Sequence, residues 1–220
     1  MSRTDAAVDG NALADHVYRA LLRGIVDGTY PSRARLKERE ISDRYEVSRI
    51  PVREALQRLE SEGFVQSLPN RGVTVAPVTR ADLEHLFELR LCIEPFAAGR
   101  AAERIANGEV DPAPLVEVMG ELSAMQADEA DIPSLDFHEE VVRLSGNARL
   151  VRSLAPLRGR MEWQFRLTRD ARAAEHAIEH QQIFEAVMAG RPAAASALSY
   201  AHIDLARGPM IAALAPLLDD

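Results

Sequence analysis

Three histidines, His138, His180 and His202, are the side chains in this sequence best suited to bind a metal ion. Each is predicted to lie on a different helix among apolar neighbours, so the three imidazoles are expected to point into one core. Neutral imidazole suits zinc, nickel and similar divalent ions, and three such ligands leave coordination positions open. The alternatives are three scattered core histidines without metal and a competing pair, His176 with His180, on one helix.

A pair of charged residues interrupts an otherwise apolar helical stripe. The stripe recurs at alternating steps of three and four and predicts one long helix, and its members are Leu83, Phe87, Arg90, Glu94, Ala97 and Ala101. Charges on a buried stripe need partners or a ligand. Two interpretations stay open: an ion pair between Arg90 and Glu94 at the edge of the core, or contact of Arg90 with a bound ligand.

A short basic helix is predicted to begin near Arg49. Ser48 is a good N-cap residue, whose hydroxyl can accept a first-turn amide, and Gly63 ends the helix. Arg49 and Arg53 lie off its apolar face, one turn apart. Such arginines can bond guanine bidentately in a major groove, which predicts a DNA-reading helix. The alternative is a surface helix whose arginines are merely solvated.

Two short β-prone runs, residues 64–68 and 73–75, follow this helix. The residues between them include Arg71 and Gly72, which predicts a hairpin with a basic tip. Arg71 and the amide of Gly72 would be free to approach a DNA backbone or minor groove. A helix, a second helix, a reading helix and a hairpin is the order of a winged helix-turn-helix.

The remaining elements place these residues in a mostly α-helical chain of two domains, residues 1–78 and 79–220. Residues up to Asn11 are expected to be disordered, a helix to follow up to Asp27, and a second helix to span 36–45. After a short linker, six helices without strands predict an antiparallel bundle. They begin near residue 81 and then cover 111–126, 132–145, 149–168, 173–189 and 192–207.

The charge distribution decides which domain can approach DNA. The chain of 220 residues has a net charge of −8. Residues 1–78 contain 12 Lys and Arg against 11 Asp and Glu, which leaves 14 against 23 of the totals of 26 and 34 for the rest. Only the first domain could meet a polyanion without strong repulsion, and the acidic domain must face away.

Composition indicates a soluble globular protein without a membrane segment. Neither an apolar run of membrane-spanning length nor a signal-peptide pattern occurs, so a cytoplasmic protein is expected. The single Cys92 excludes an internal disulfide and is expected to be a buried apolar thiol inside a helix.

Residues 25–75 closely resemble the DNA-binding domain of the GntR family of bacterial transcription regulators. The resemblance is carried by Gly28, Pro31, Leu36, Glu40, Ile41, the block VSRIPVREALQRLESEGFV and the closing NRGVTV. It implies DNA contacts from the positions matching Arg39, Ser48, Arg49, Arg53 and Gly72. Ile50 departs from the small hydroxylic residue common in the family, which removes one polar contact.

Residues 81–207 resemble the all-helical effector domain, called FCD, of the FadR-like branch of that family. The similar segments are ELRLCIEPFAA, FHEEVVRLSGN and EHQQIFEAVMAGRPAAASALSYAHI. The resemblance implies a divalent metal, bound by an aspartate and three histidines that match His138, His180 and His202. Ser134 stands at the aspartate position, and Asp136 would point away on a regular helix. A zinc or nickel site weaker than in relatives is therefore expected.

The resemblance implies a dimeric regulator that binds a pseudo-palindromic operator in double-stranded DNA, with the homodimer formed largely by the helical half. A small organic acid is expected in the bundle, held by metal or imidazoles with Arg90. Two alternatives remain, a hydrolase-like metal enzyme and an architectural DNA binder without effector. The enzyme is disfavoured because Glu139 and Glu179 adjoin histidines in sequence and would be turned roughly 100° away on a helix.

Overall fold

A computed structural model describes residues 3–69, 71–124, 131–168 and 173–219 of the chain. The chain divides into two units, Met1–Val78 and Thr79–Leu218. The described helices include none that is both long and apolar enough to cross a membrane.

The first unit is a winged helix-turn-helix. Its helices pack through apolar faces, and Val17, Leu21, Val52 and Leu59 are fully buried. The elements are α1 Arg3–Val26, β1 Arg35–Leu36, α2 Glu38–Tyr45, α3 Arg49–Ser61, β2 Val65–Leu68 and β3 Gly72–Val75.

Three strands form an antiparallel sheet in the order β1-β3-β2. Thr74 of β3 lies opposite Arg35 on one side and Gln66 on the other. Because side chains alternate along a strand, these three share one face, while Leu36 and Val75 are buried on the other.

The sequence interpretation was wrong at two boundaries of this unit. Leu36 was assigned to the second helix but belongs to β1, and α2 begins only at Glu38 after an extended Lys37. A two-residue strand carries no alternation signal of its own, so pairing with β3 decides its state. The first helix begins at Arg3, although residues up to Asn11 were expected to be disordered.

The second unit is entirely helical in its described residues. The first helix of this unit, α4, starts with a capping box. The Thr79 hydroxyl accepts a hydrogen bond from the Asp82 amide, and the Asp82 carboxylate accepts one from the Thr79 amide. The elements are α4 Arg80–Ala106, α5 Ala113–Ala124, α6 Asp131–Leu144, α7 Ala148–Leu154, α8 Arg158–Thr168, α9 Ala173–Met188 and α10 Pro192–Leu214, with 3₁₀ turns at Ala155–Leu157 and Ala215–Leu217.

Two predicted helices of this unit differ most from the structure. The helix predicted over 149–168 is two helices, because a 3₁₀ turn that contains Pro156 separates α7 from α8. The last helix continues to Leu214 rather than ending at Arg207, and it contains Pro209. The described part of this unit therefore has seven α-helices where six were expected, and the predicted mostly α fold class is confirmed.

Small residues on α4 allow other helices to approach it closely. Ala98, Ala101 and Ala102 are fully buried in the core. A Cβ atom built at Gly99 would lie 3.3 Å from the Pro192 carbonyl oxygen, so α4 and α10 nearly touch there. This packing brings a few buried polar residues of α4, α6, α9 and α10 together inside the unit, namely Arg90, Glu94, His138, His180 and His202.

Candidate metal centre and DNA-binding surface

His138 on α6, His180 on α9 and His202 on α10 meet in the core of the second unit. Their ligand nitrogens all lie within 4.8 Å of one another, and all three residues are buried. The Nε2 atoms of His138 and His180 are 3.2 Å apart. Two nitrogens bound tetrahedrally to zinc, each about 2.0 to 2.1 Å from the ion, lie about 3.4 Å apart. The donor set therefore fits a divalent ion.

Two carboxylates fix the orientation of these rings from outside the cluster. The Nδ1 atom of His138 lies 2.8 Å from Oε2 of Glu94, and Nδ1 of His202 lies 2.8 Å from Oε2 of Glu179. Because a carboxylate only accepts, each Nδ1 donates, which leaves the Nε2 lone pair of that ring for a metal. Carboxylate–histidine pairs of this kind orient metal ligands and raise their basicity.

Burial keeps the three imidazoles in the neutral form that binds metals. Desolvation lowers the pKa of His138, and the neighbouring Glu94 opposes this only in part. The pKa of His180 and that of His202 lie well below the usual value, chiefly because of desolvation. Repulsion from Arg90, and from the other histidines whenever one of them is protonated, lowers both pKa values further. No proton then has to be removed before a cation binds.

Arg90 and Glu94 form a fully buried ion pair beside the histidines, not the edge pair that was one expectation. Arg90 Nε donates to Glu94 Oε1 over 2.6 Å, and Arg90 Nη2 lies 3.5 Å from His138 Nε2. Burial alone would raise the pKa of Glu94, but Arg90 and His138 together hold it below the usual range. A guanidinium thus lies next to the cluster while its charge is balanced by Glu94.

Ser134 is half-buried on α6, one turn before His138. Asp136 accepts a hydrogen bond from Nη2 of Arg158 over 2.7 Å, and Glu139 pairs with the same guanidinium. Both acids are thus engaged with Arg158, consistent with the expectation that Asp136 points away from the histidines. Within the described residues, the three histidines are the group of side chains that could hold a metal ion.

Sequence reasoning missed the roles of Glu94 and Glu179. Glu179 was expected to be turned away from the site because it adjoins His180, but it contacts His202 on the neighbouring helix α10. The contact of Glu94 with His138 could have been predicted, since Glu94 lies on the inward stripe of α4. His176 lies at the border of the cluster, with ring centroids 5.4 Å from His202 and 6.3 Å from His180.

The DNA-facing candidates of the first unit lie on α2, α3 and the hairpin. Arg49 is exposed, and so is Arg53, whose Nε donates to both carboxylate oxygens of Glu38 over 3.0 and 2.9 Å. Ser48 is the N-cap residue of α3 but makes no side-chain capping bond. The predicted capping contact is therefore wrong, and its hydroxyl is not used by the helix. Arg39 on α2 is highly exposed, with Asp43 3.9 Å away.

The predicted hairpin is present, with Arg71 and Gly72 at its tip. Gly72 has a φ of 73°, a left-handed conformation that glycine adopts at little cost, and the amide of Arg71 donates to the Leu68 carbonyl over 3.1 Å. Both Arg71 and Gly72 are exposed. Asn70, also part of the predicted turn, lies outside the described residues.

Comparison with known proteins agrees with both units. Residues 13–75 match the bacterial regulatory proteins of the gntR family, and residues 85–205 match the FCD domain. The chain is 26% identical over 197 residues to YdhC of Bacillus subtilis, an uncharacterized HTH-type transcriptional regulator, covering 85% of this chain and 86% of that protein. It is 28% identical to the gluconate operon transcriptional repressor of Bacillus licheniformis, covering 73% and 67%.

A solved structure of similar architecture is the GntR transcriptional regulator from Rhodococcus sp. RHA1. It has a TM-score of 0.71 and 26% sequence identity, covering 90% of this chain and 97% of that one. The matched families and these relatives are transcription regulators and not enzymes. This chain belongs to the GntR family of DNA-binding transcription regulators and carries an FCD effector domain.

Proposed function

We propose that this regulator is a repressor whose affinity for its operator is controlled by a small organic acid bound among the histidines of the helical unit. The observation that carries the proposal is the convergence of three buried, neutral imidazoles beside a buried guanidinium. Such a polar constellation costs stability in a core and is typical of a ligand site. We place the protein in the bacterial cytoplasm, with the DNA that it regulates.

His138, His180 and His202 would hold a divalent ion, zinc or nickel, through their ring nitrogens. Glu94 and Glu179 support two of these ligands from behind. A bound ion would supply a concentrated positive charge with open coordination positions. Because Ser134 offers only a neutral hydroxyl at the aspartate position, the site would stay more positive than one with a carboxylate ligand.

A carboxylate on the effector complements this excess of positive charge. It would lie near the three histidines, where Arg90 can donate from the nitrogen that approaches His138. One relative is named for a gluconate operon, and gluconate is an organic acid, which supports this class of effector. The acid and the metal would then strengthen each other's binding by linkage.

In the first unit, Arg49 and Arg53 would read base edges from α3. The positions of Arg39, Ser48, Arg71 and Gly72 would contact the DNA backbone around the reading helix. Because the Ser48 side chain does not cap α3, its hydroxyl is available for such a contact. Arg53 would have to share or leave Glu38 to reach a base, so DNA binding competes with this ion pair.

A homodimer would place two reading helices on the half-sites of a pseudo-palindromic operator. Leu89 and Phe96 are exposed apolar side chains on one face of α4, and the exposed Cys92 lies between them. An apolar stripe on an exposed helix face favours pairing with a second copy through the helical unit. The effector would change operator affinity only if it binds one arrangement of the dimer more tightly.

A thermal-shift screen of small organic acids, with and without chelator, tests the proposal. We expect one acid to raise the melting temperature strongly with zinc or nickel and weakly with chelator. The operator is first identified by selecting bound sequences from a random duplex library. The same acid should then release the protein from this operator. An acid that stabilises fully chelated protein equally well would show that the histidines act without metal. If no acid of the screen stabilises the protein or changes its DNA binding, the proposed effector class is wrong.

A further inference from the structure

A cleft of about 470 Å³ lies on the outer face of the sheet in the first unit. Of the residues that line it, only Arg71 takes part in the DNA contacts of the proposed function. Its volume is in the range of small-ligand sites. The lining residues are Arg33, Arg35, Gln66, Leu68, Arg71 and Thr74.

The register of the sheet explains why these side chains meet. Arg35, Thr74 and Gln66 are direct partners across the three strands, so they form one row. Their neighbours Leu36 and Val75 are buried on the opposite face. The arginine of β1 is therefore held over the outer face by the same alternation that places Leu36 in the core.

The cleft concentrates positive charge without a compensating acid. Its lining contains three arginines and no carboxylate. Among the residues that the structure describes, none of these three arginines forms an ion pair. By contrast, Arg53 pairs with Glu38 and Arg58 with Glu62. Neighbouring guanidinium groups that lack acidic partners attract an anion.

The hydroxyl of Thr74 is the second feature that indicates a ligand. Thr74 is only 6% exposed, and its Oγ1 is buried without a hydrogen-bond partner among the described parts of the chain. An unsatisfied buried hydroxyl costs stability, and native structures satisfy most of them. A ligand in the cleft would supply the missing acceptor.

Arg33 is the third feature, because its backbone is left-handed. Its φ is 65°, and its amide donates to the Val75 carbonyl over 3.0 Å. Residues with a Cβ atom adopt this conformation at a cost that glycine avoids. Backbone strain of this kind is concentrated at functional sites, which supports a role for the Arg33 guanidinium.

We propose that this cleft binds a phosphate group of the DNA backbone beside the hairpin. Arginine forks and a hydroxyl donor match phosphate oxygens, and such contacts are independent of base sequence. The cleft is continuous with the hairpin tip, since a Cβ atom at Gly72 would lie 3.7 Å from Nη2 of Arg35. The proposal rests on the DNA-binding function and extends the footprint beyond α3 and the tip.

The salt dependence of binding to a fluorescent random-sequence duplex tests the proposal on the full-length protein. The slope of log affinity against log salt is negative, and each lost phosphate contact lowers its magnitude by about 0.9. We expect Arg35→Gln and Arg33→Gly each to lower it by up to this amount. Arg19→Gln is the matched control, since Arg19 is an exposed arginine on α1 that does not line the cleft. Its slope should stay that of the wild type.

Two variants separate ligand binding from a structural role. Thr74→Val removes the unsatisfied hydroxyl and Arg33→Gly removes the backbone strain, so neither should lower the melting temperature. Both should weaken duplex binding several-fold. A merely structural cleft would instead lose stability and affinity together, and that result would overturn the proposal.

A free phosphate ester presents the same chemistry, and inorganic phosphate serves as its probe. If phosphate stabilises the wild type but not Arg35→Gln while both give the same salt slope, the cleft is a small-anion site and the DNA contact is refuted. Unchanged slopes without any phosphate effect also refute it. If the wild type fails to bind the duplex at low salt, the DNA-binding surface itself is wrong, and the cleft proposal falls with it.

Discussion

Ser134 is the residue at which this chain differs from the metal-binding pattern that its effector domain resembles. We expect Ser134→Asp to tighten zinc or nickel binding roughly tenfold or more, since even outer partners of metal ligands change affinity 10- to 100-fold. The acid should then help the metal less, because the new carboxylate supplies the missing charge. His180→Ala should abolish metal binding.

Calorimetric titration with and without the acid measures both effects. Ser153→Asp is the control, because Ser153 is an exposed serine of the same unit on α7. If Ser134→Asp and wild type bind metal equally well, position 134 lies outside the ligand set.

Arg49 and Arg53 carry the prediction for base recognition. We expect Arg49→Ala or Arg53→Ala to abolish the preference for operator over random duplex, because each removes a contact worth roughly 1 to 3 kcal/mol. Arg71→Ala should weaken both duplexes alike. Affinities measured at one fixed salt concentration decide this. Retained selectivity in both α3 variants would mean that α3 is not the reading helix.

Helix α4 carries a buried ion pair into the core of the helical unit. Arg90 and Glu94 are 1% and 2% exposed, so replacing Glu94 alone leaves a buried guanidinium without its partner. We expect Glu94→Met to lower the free energy of unfolding by roughly 3 to 5 kcal/mol, and the double variant Arg90→Met/Glu94→Met to lose much less. Urea unfolding followed by the fluorescence of Trp163, the single tryptophan, reports on the helical unit.

The double variant separates two explanations of the pair. If it is as unstable as Glu94→Met, the loss comes from packing rather than from the unpaired charge. Metal-free protein should be used, because a bound ion would add its own stabilisation.

The elements that sequence reasoning placed correctly are those with local start signals, such as an N-cap residue, a glycine or a proline. The start of α3 coincides with Ser48 at the N-cap and Pro51 in the first turn, although Ser48 makes no capping bond. The start of α10 follows from Gly190 and Pro192. Here the helix ends are decided by residues within one turn, which makes them readable from sequence.

The errors arise where distant contacts decide. Pro95 lies inside α4 without ending it, whereas the turn containing Pro156 separates α7 from α8, so proline alone does not predict the break. In the same way, β1 exists through its pairing with β3, and Glu179 reaches His202 across a helix–helix contact. Cys92 was expected to be buried but is exposed. Interactions between remote segments leave no local signal.

The homodimer is a property of the whole molecule, and an exposed face of α4 supplies a surface that tests it. Phe96 is 55% exposed and shares a helix face with Leu89 and Cys92. If two copies pair through this face, Phe96→Lys places a charge in an apolar interface and should dissociate the dimer at micromolar concentration. Ile50→Lys is the matched control, because Ile50 is an exposed apolar residue of the first unit.

Light scattering on the full-length chain gives the mass of each variant, and Cys92 supplies an independent measurement. As the single cysteine, it takes a maleimide label at one known position. Labelling should be slow in a wild-type dimer, fast in Phe96→Lys, and slow in Ile50→Lys. A wild-type dimer that labels rapidly and survives Phe96→Lys must pair through another surface. The two half-sites of the operator would then be spaced by a contact other than α4.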